Sequence, residues 1–417
     1  MSEVRGALAS VFDDAFIVEG ARTPFVDYNG ALSLVSPIDL GVKAGRAALA
    51  RAEFPAERID AVICGSMAQA SFDAYMLPRH IGIYCGAPIE APALLVQRVC
   101  GTGIEVVAQA ADAVSLGRAE AALCVGAESM SRNPVASYTH RGGFRMGQVE
   151  FKDFLWEALF DPSCDASMGD TAENLARRYQ ITREEVDRFA ARSFERALTA
   201  CAAGCFDDEI VAVVDETFAR QGYKPRQIKL KKKGEVVGAD SHVRPSPVET
   251  LAKIRPAFGG VQTGGNSSAV VDGAAAVVVA SGKRLAAEGR TPLARVVACA
   301  AVGVPPEIMG IGPAPAIRAV CARTGLAISD IDRFEINEAF GAQAIACVRE
   351  LGLDENKLNV CGGAIAIGHP LGATGVRLAL TVARQLRREG LRYGIASACI
   401  GGGQGIAMIV ENPATAS

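Results

Sequence analysis

The sequence predicts an α/β protein made of two similar halves, with a stretch of different composition between them. Segments patterned like strands alternate with segments of helical periodicity, which indicates mostly parallel sheets covered by helices on both faces. The same order of elements recurs in the C-terminal part, so the halves look duplicated. With 417 residues, 50% of them hydrophobic, the chain can bury a large core and form two or three domains.

The elements of the first half follow from their start and stop signals. Ser36-Pro37-Ile38-Asp39 marks a helix start, because the serine can cap the first turn and proline fits the first helical position. We expect that helix to end near residue 52. The other predicted elements are a strand at 15–19, a strand at 59–65, a helix near 77–84, a buried strand at 94–99 followed by a helix ending near Gly117, and a strand at 121–128.

The second half repeats this order. A helix near Pro315–Arg323 precedes a strand ending at Ile336, as the helix after Pro37 precedes the strand at 59–65. Predicted equivalents of the strand and helix around Cys100 are a strand at 358–363 and a helix at 375–388, and the closing strands are 273–281 and 405–411. The expected organisation is an N-terminal half formed by 1–132 and 269–291, an inserted loop domain at 133–268, and a C-terminal half at 292–417.

Composition argues against several classes of protein. The formal net charge of −3 provides no field that would attract nucleic acid or an anionic membrane, and no apolar run reaches the roughly 18 residues of a membrane span. Twelve cysteines without paired spacing fit free thiols in a reducing compartment. No metal-ligand spacing stands out. Since the first residues lack a basic leader, we expect a cytoplasmic protein.

Cys100 lies where a predicted strand passes into a helix, in Val-Cys-Gly-Thr-Gly. Unpaired N–H groups and the positive end of a helix dipole favour a thiolate at such a turn, and the thiolate is the reactive form of cysteine. The flanking glycines leave the sulfur open to a substrate. A buried structural cysteine is the alternative, and it is the commonest role of a free cysteine.

Three further glycine-rich stretches present reactive side chains after strands of the second half. They carry Asn337 in Asn-Glu-Ala-Phe, His369 in Gly-His-Pro-Leu-Gly, and Cys399 in Cys-Ile-Gly-Gly-Gly-Gln-Gly. Each stretch alone is weak evidence for a functional site, because a glycine loop is usually a turn and a single histidine is usually structural. Loops that follow neighbouring strands can nevertheless converge at one edge of a sheet, where ligands bind in such folds.

Together these four blocks resemble the signature blocks of the thiolases, the acyl-CoA C-acyltransferases. Secondary matches such as Gly-Ala-Glu-Ser-Met-Ser at 126–131 and Thr-Gly-Gly-Asn-Ser-Ser at 263–268 extend the resemblance over nearly the whole chain. The resemblance implies a duplicated five-layered α/β/α/β/α thiolase fold with an inserted loop domain facing coenzyme A. It also implies a homodimer or homotetramer with acyl-CoA and coenzyme A as substrates and no tightly bound cofactor.

The resemblance assigns a role to each reactive group. Cys100 would be the nucleophile that carries the acyl group, with His369 as its base, and Cys399 would move the proton of the carbon that forms or breaks the carbon–carbon bond. His369 and a water held by Asn337 would stabilise the enolate, and the N–H groups of Cys100 and Gly401 would hold the other oxyanion. Two acyl groups using one thiol in turn imply ping-pong kinetics.

Binding residues follow from the same resemblance. Ser268 would lie near the pantetheine, and the narrow end of the pocket would be lined by Met168, Phe258, Met309, Phe340 and Leu371. The basic stretch at 220–244, with Arg226, could meet the phosphates of coenzyme A or could be a solvated flap.

The sequence departs from the family pattern at several positions. Gln97, Thr102 and Cys361 replace frequent family residues without removing a reactive group. Ser167 stands where short-chain biosynthetic thiolases often have histidine, which leaves both acetoacetyl-CoA and broader 3-oxoacyl-CoA specificity open. A 3-oxoacyl synthase would carry a second histidine where Asn337 stands, and a silent acyl or lipid carrier would have lost the reactive blocks. The pattern therefore favours an active thiolase.

Overall fold

The computed structural model describes residues 6–67, 73–138 and 140–415. Residues 1–5, part of the segment in which no leader was expected, lie outside this range. The strands are β1 (Leu8–Val11), β2 (Ala15–Arg22), β3 (Val26–Asp27), β4 (Ala61–Gly65), β5 (Ala93–Val96), β6 (Ala121–Ser129), β7 (Val135–Ala136), β8 (Lys152–Asp153), β9 (Phe160–Asp161), β10 (Ala166–Ser167), β11 (Glu216–Phe218), β12 (Arg226–Ile228), β13 (Val271–Ser281), β14 (Ala294–Gly303), β15 (Arg333–Ile336), β16 (Tyr393–Ile400) and β17 (Gln404–Glu411).

The helices agree with most of the sequence expectations. The predicted helix after Ser36 ends at Arg51, and Ser36 caps it as expected. The α-helices are α1 (Pro37–Arg51), α2 (Leu77–Cys85), α3 (Thr102–Ser115), α4 (Phe154–Glu157), α5 (Met168–Arg178), α6 (Arg183–Ala202), α7 (Val248–Leu251), α8 (Gly282–Ala287), α9 (Pro313–Thr324), α10 (Gly341–Leu351), α11 (Ala364–Ile367) and α12 (Leu371–Glu389). Among these, no helix is long and apolar enough to cross a membrane.

The sheet pairing confirms the duplication. Within the described chain the main strand order is β15-β16-β17-β14-β2-β13-β6-β4-β5. In the first half β4 pairs in parallel with β6. Strand β6 then pairs antiparallel with β13, and β13 pairs antiparallel with β2. In the second half β15, β16, β17 and β14 repeat that sequence of parallel and antiparallel pairs. Each half thus contains the same arrangement, joined where β14 meets β2.

The layers follow from which helices cover which face. Helices α3 and α12 pack between the two half-sheets, α1 and α2 cover the outer face of the first half, and α9 covers that of the second. The result is the expected five-layered α/β/α/β/α architecture.

Two predicted strands turned out differently. The stretch at 358–363 forms an isolated bridge, between Leu358 and Phe334, because Asn359 has a φ of 44° and turns the chain away. The strand before Cys100 is the short edge strand β5 rather than a buried one, and Leu94 in it is 50% exposed. Apolar composition alone cannot distinguish an edge strand from a central one, since both read as the same run.

The inserted segment is more helical than a loop domain. Helix α5 begins at Met168, where Ser167 and Asp170 form a capping box. Helix α6 begins in the same way, with a capping box between Thr182 and Glu185. Apolar side chains of both helices pack against α10 of the second half, so the insertion is fixed to the core.

Helices α3 and α12 touch backbone to backbone through two glycines. A Cβ added at Gly375 would lie 2.2 Å from the amide nitrogen of Ile104, and one at Gly103 would lie 2.5 Å from the amide nitrogen of Val376. Real atoms do not approach so closely. The small residues therefore set the distance between the two central helices.

We predict that Gly375→Ala destabilises the protein. Alanine favours an isolated helix by about 1 kcal/mol, but overpacking against fixed backbone costs typically about 1–3 kcal/mol, so the steric cost prevails. The midpoint of urea unfolding should fall. Gly142→Ala is the matched control, because a Cβ there meets no atom within 4 Å. An unchanged midpoint for Gly375→Ala would contradict the close contact.

Candidate active site

Cys100 lies on a single 3₁₀ turn, Val99–Gly101, between β5 and α3. The preceding residue, Val99, has a φ of 42°, which is a strained conformation for a β-branched side chain. The hydroxyl of Thr102 holds this turn by donating to the carbonyl of Val99 at 2.6 Å and accepting from the amide of Arg98 at 2.8 Å. Strain of this kind concentrates at functional sites. Nothing in the composition of the stretch signalled it.

The Cys100 sulfur is buried, and its protonation state differs from the sequence expectation. Burial raises the pKa of the thiol to about 11, although hydrogen bonds from the backbone N–H groups of Gly401 and of Cys100 itself act to lower it. The carboxylate of Glu128 adds to the rise. Desolvation outweighs the helix terminus, so the resting group is a thiol and needs a base.

His369 lines the same cavity as Cys100 and is in the charge state of a base. Burial first, and the positive charge of Arg377 second, lower the pKa of its imidazole to about 3, so the ring is neutral at physiological pH. Thr374 donates its hydroxyl proton to the carbonyl of Pro370 at 3.1 Å and therefore accepts from Nδ1 of the ring at 2.6 Å. The proton thus resides on Nδ1, and Nε2 carries the lone pair that can accept a proton.

Asn337 and Cys399 complete the group. The side-chain nitrogen of Asn337 lies 3.3 Å from Nε2 of His369, and its Oδ1, fully buried, has no hydrogen-bond partner among the described residues. Cys399 lies near the end of β16 and is also fully buried. Burial raises the pKa of the Cys399 thiol well above its ordinary value, and the nearby charge of Cys100 raises it further. Gly401, two residues after Cys399, donates its backbone N–H to the Cys100 sulfur, which places the end of β16 beside Cys100.

Two buried carboxylates hold the loops of the site. Glu128 accepts from the amide of Met67 at 2.8 Å and from the amide of Gly372 at 2.9 Å, which ties a loop of the first half to the loop after His369. Glu338 accepts from the hydroxyl of Ser193 at 2.7 Å. Both glutamates lie inside blocks that carried the resemblance, which was the available signal for their importance.

A cavity of about 210 Å³ is lined by Cys100 and His369, whereas Asn337 and Cys399, both fully buried, are not among its lining residues. Its walls are mostly apolar, and Phe258 and Phe340 meet edge to face with ring centroids 6.2 Å apart. Of the residues predicted for the site, those that line the cavity are Cys100, His369, Ser268, Met168, Phe258, Met309, Phe340 and Leu371. Lining residues that the sequence did not suggest include Met130, Trp156 and Leu159.

Arg226 does not line this cavity. Its guanidinium binds the carboxylate of Asp39 at 2.6 Å and that of Asp73 at 2.8 Å, and its side chain is 17% exposed. These two carboxylates fasten β12 to the start of α1 through Arg226. Local pattern could not indicate this pairing, because the acidic partners are about 150 or more residues away in the sequence.

A thiol with a neutral imidazole beside it, a second buried thiol and backbone donors at the first one define an acyl-transferring enzyme. Comparisons with known proteins agree. Models of the thiolase N-terminal domain and the thiolase C-terminal domain match residues 15–283 and 290–412. The chain therefore belongs to the thiolase family, and it is an acyltransferase.

Individual relatives cover nearly the whole chain. The mitochondrial 3-ketoacyl-CoA thiolase of Homo sapiens is 42% identical over 403 residues, which are 96% of this chain and 98% of that one. An acetyl-CoA acetyltransferase of Syntrophomonas wolfei is 40% identical over 405 residues, 95% of this chain and 99% of that one. The crystal structure of the human enzyme in complex with CoA superposes with a TM-score of 0.90 at 41% identity, covering 96% of this chain and 98% of that one.

These relatives correct one expectation. The predicted cytoplasmic location is wrong by this comparison, because the human relative is named as a mitochondrial enzyme. Free thiols indicate a reducing compartment, but they do not distinguish one reducing compartment from another.

We predict that Thr374→Val impairs catalysis without unfolding the protein. Valine keeps the shape but removes the acceptor for Nδ1–H, so His369 loses its fixed tautomer, and kcat/KM for thiolysis should fall roughly tenfold or more. Thr374→Ser should restore most of the activity, which a purely steric role for the residue would not explain. Thermal unfolding of each variant provides the control. Full activity in Thr374→Val would show that the hydroxyl does not orient the ring.

Proposed function

We propose that the protein catalyses the reversible Claisen condensation of acetyl-CoA with an acyl-CoA, and the thiolytic cleavage of 3-oxoacyl-CoA, through an S-acyl cysteine. The observation that carries this proposal is the convergence of two thiols and one neutral imidazole from three distant stretches of sequence. Single-cysteine acyl transfer would need the first thiol and the imidazole alone. A second thiol is needed when a carbon acid must also lose or gain a proton.

In the first half-reaction His369 takes the proton of Cys100 as the sulfur attacks the thioester carbonyl. The developing oxyanion would be held by the N–H groups of Cys100 and Gly401, which already point at the sulfur. The departing sulfur of coenzyme A would take its proton from the Cys399 thiol, which leaves Cys399 as a thiolate and His369 protonated on Nε2. An acyl group remains on Cys100.

In the second half-reaction the Cys399 thiolate removes the proton from the carbon beside the carbonyl of the next acyl-CoA. The protonated Nε2 of His369 and a water on the unpartnered Oδ1 of Asn337 would stabilise the enolate oxygen. The enolate carbon attacks the acyl group on Cys100, and the sulfur that leaves takes back the proton held by His369. Run backward, the same steps cleave 3-oxoacyl-CoA, with Cys399 as the acid.

The presence of all four reactive residues, Cys100, Asn337, His369 and Cys399, also separates this function from its alternatives. A 3-oxoacyl synthase would place a histidine at Asn337, and a silent carrier would have no use for a strained turn at Val99 or a fixed tautomer at His369. Labelling of Cys100 by acetyl-CoA, without an acyl carrier protein, is expected of the thiolase alone.

Variants of Cys100 and Cys399 test which cysteine carries the acyl group and which one transfers the proton. Incubation with acetyl-CoA and mass spectrometry should detect an acetyl group on Cys100 in the wild type and in Cys399→Ala, and none in Cys100→Ser. Cys399→Ala should lose carbon–carbon bond exchange by a factor of about 10² or more, the usual contribution of a general acid or base. The roles are wrong if both variants lose acylation alike.

We propose a broad 3-oxoacyl-CoA specificity rather than one limited to acetoacetyl-CoA. Ser167 lines the cavity, and this small side chain stands where short-chain biosynthetic members of the family often have histidine. Relatives named 3-ketoacyl-CoA thiolase support the same assignment.

Thiolysis rates on 3-oxoacyl-CoAs of increasing length test this specificity. The wild type should keep its kcat/KM on substrates with more than four acyl carbons. In Ser167→His, kcat/KM should fall roughly tenfold on these longer chains and by a smaller factor on acetoacetyl-CoA, since a pocket change of one or two groups is worth about 10–200-fold. Ser167→Ala is the control for loss of the α5 cap. A wild-type enzyme confined to acetoacetyl-CoA would contradict the proposal.

We propose a homodimer or homotetramer, supported by the edge strand β5. Leu94 in β5 and Ile89 just before it are 50% and 42% exposed, and an apolar edge of this kind is suited to pairing with a second copy. Sedimentation velocity should show two or four chain masses. Leu94→Lys should shift the distribution toward the monomer, whereas Leu116→Lys, at an exposed leucine elsewhere, should not.

A further inference from the structure

A second cavity, of about 560 Å³, lies between the C-terminal part of α6, the turn before α11 and the end of α12. In the part of the chain that the structure describes, it is lined by four arginines, Arg192, Arg196, Arg333 and Arg388. Two glutamates, Glu195 and Glu389, also line it. Arg333 and Arg388 share the single carboxylate of Glu389, and Arg192 pairs with Glu355. Arg196 donates to carbonyl oxygens of Leu358 and Glu355, so four guanidinium groups face three carboxylates and positive charge remains in excess. The Nε of Arg333 is buried and has no partner among the described residues. The cavity therefore suits a small anionic molecule.

Two thiols face this cavity. Cys205, half-buried, lies just after α6, and Cys361 is 4% exposed at the turn before α11. Nη2 of Arg388 donates to the Cys361 sulfur at 3.7 Å. Burial raises the pKa of the Cys361 thiol to about 12, so this thiol rests protonated. Burial acts to lower the pKa of Arg388, but the charges that Cys361 and Cys205 carry as thiolates outweigh it and raise that pKa, so the guanidinium lies within electrostatic reach of both sulfurs. The mechanism proposed above uses neither thiol.

We propose that Cys205 and Cys361 form a redox-active thiol pair that exchanges with an anionic low-molecular-weight disulfide bound by the arginines of this cavity. The more accessible Cys205 thiolate attacks one sulfur of the ligand disulfide, forming a mixed disulfide and releasing one ligand thiolate. Cys361 then attacks the Cys205 sulfur and passes its proton to the departing second ligand sulfur, which forms the Cys205–Cys361 bond and releases a second ligand thiol. Two protein thiols are oxidised and one ligand disulfide is reduced to two thiols.

The turn that carries Cys361 packs closely against α6. A Cβ added at Gly362, the residue after Cys361, would lie 2.7 Å from the Cβ of Ala197 in α6. A disulfide would fasten the end of α6 to a turn that leads, through α11, to the loop of His369. The modification site is thus placed to act on the catalytic half of the molecule.

Glutathione disulfide, which carries carboxylates, is the probe. After incubation with it, peptide mapping of the wild-type protein should show a Cys205–Cys361 disulfide. Cys361→Ser cannot resolve the intermediate and should accumulate glutathione on Cys205; Cys361→Ala, if the serine variant melts early, serves the same purpose. Cys201, exposed one turn earlier, is the internal comparator and should react several-fold more slowly.

Charge selection is tested with Arg388→Gln and a neutral disulfide. Arg388→Gln should slow modification of Cys205 by glutathione disulfide several-fold and leave its reaction with hydroxyethyl disulfide unchanged. Equal rates at Cys201 and Cys205 would overturn the proposed site. A mixed disulfide on Cys205 that never passes to Cys361 in the wild type would overturn the pair, and an unchanged rate in Arg388→Gln would overturn the anion selection.

Discussion

The backbone contact between the two central helices is the constraint on which the site depends. Helix α3 begins two residues after Cys100 and α12 begins two residues after His369, so the helices carry the nucleophile and the base at their N-terminal ends. Gly103 and Gly375 let these ends meet without intervening side chains. Any larger residue at either glycine would separate the two reacting groups by moving whole helices. Duplication of the fold thus supplies the site, because equivalent helices from the two halves meet at their equivalent ends.

Buried charges then fix the loops that the helices cannot. Glu128 and Glu338 accept main-chain and side-chain donors from loops distant in sequence, and neither contacts solvent appreciably. Arg377 and Glu335 form a fully buried pair at 2.8 Å in the second half. Breaking a buried pair by removing one partner costs typically about 3–5 kcal/mol, because the other charge is left without compensation. Loops held in this way keep their geometry while the substrate changes.

Sequence reasoning predicted the parts of the molecule that depend on local pattern. The capped helix after Ser36 and the closing strands were found, since periodicity and capping are local. Cys100 and His369, from two of the four blocks, line one cavity. Three features were not predicted, because each depends on a partner far along the chain. They are the isolated bridge at 358–363, the exposed position of β5 and the ion pairs of Arg226. The protonation states of Cys100 and His369 were also beyond reach, since burial determines them.

Those protonation states have a consequence for how the site works. With the pKa of the Cys100 thiol raised to about 11 and that of the imidazole lowered to about 3, the resting pair carries no charge. A separated thiolate and imidazolium would be costly in a buried apolar cavity. Proton transfer therefore becomes favourable only when the negative charge moves onto the oxygen of a thioester carbonyl, where the backbone N–H donors stabilise it. The same desolvation that suppresses the free thiolate therefore strengthens those donors in the transition state. Reactivity is confined to the moment when substrate is bound, which protects a buried nucleophile from other electrophiles.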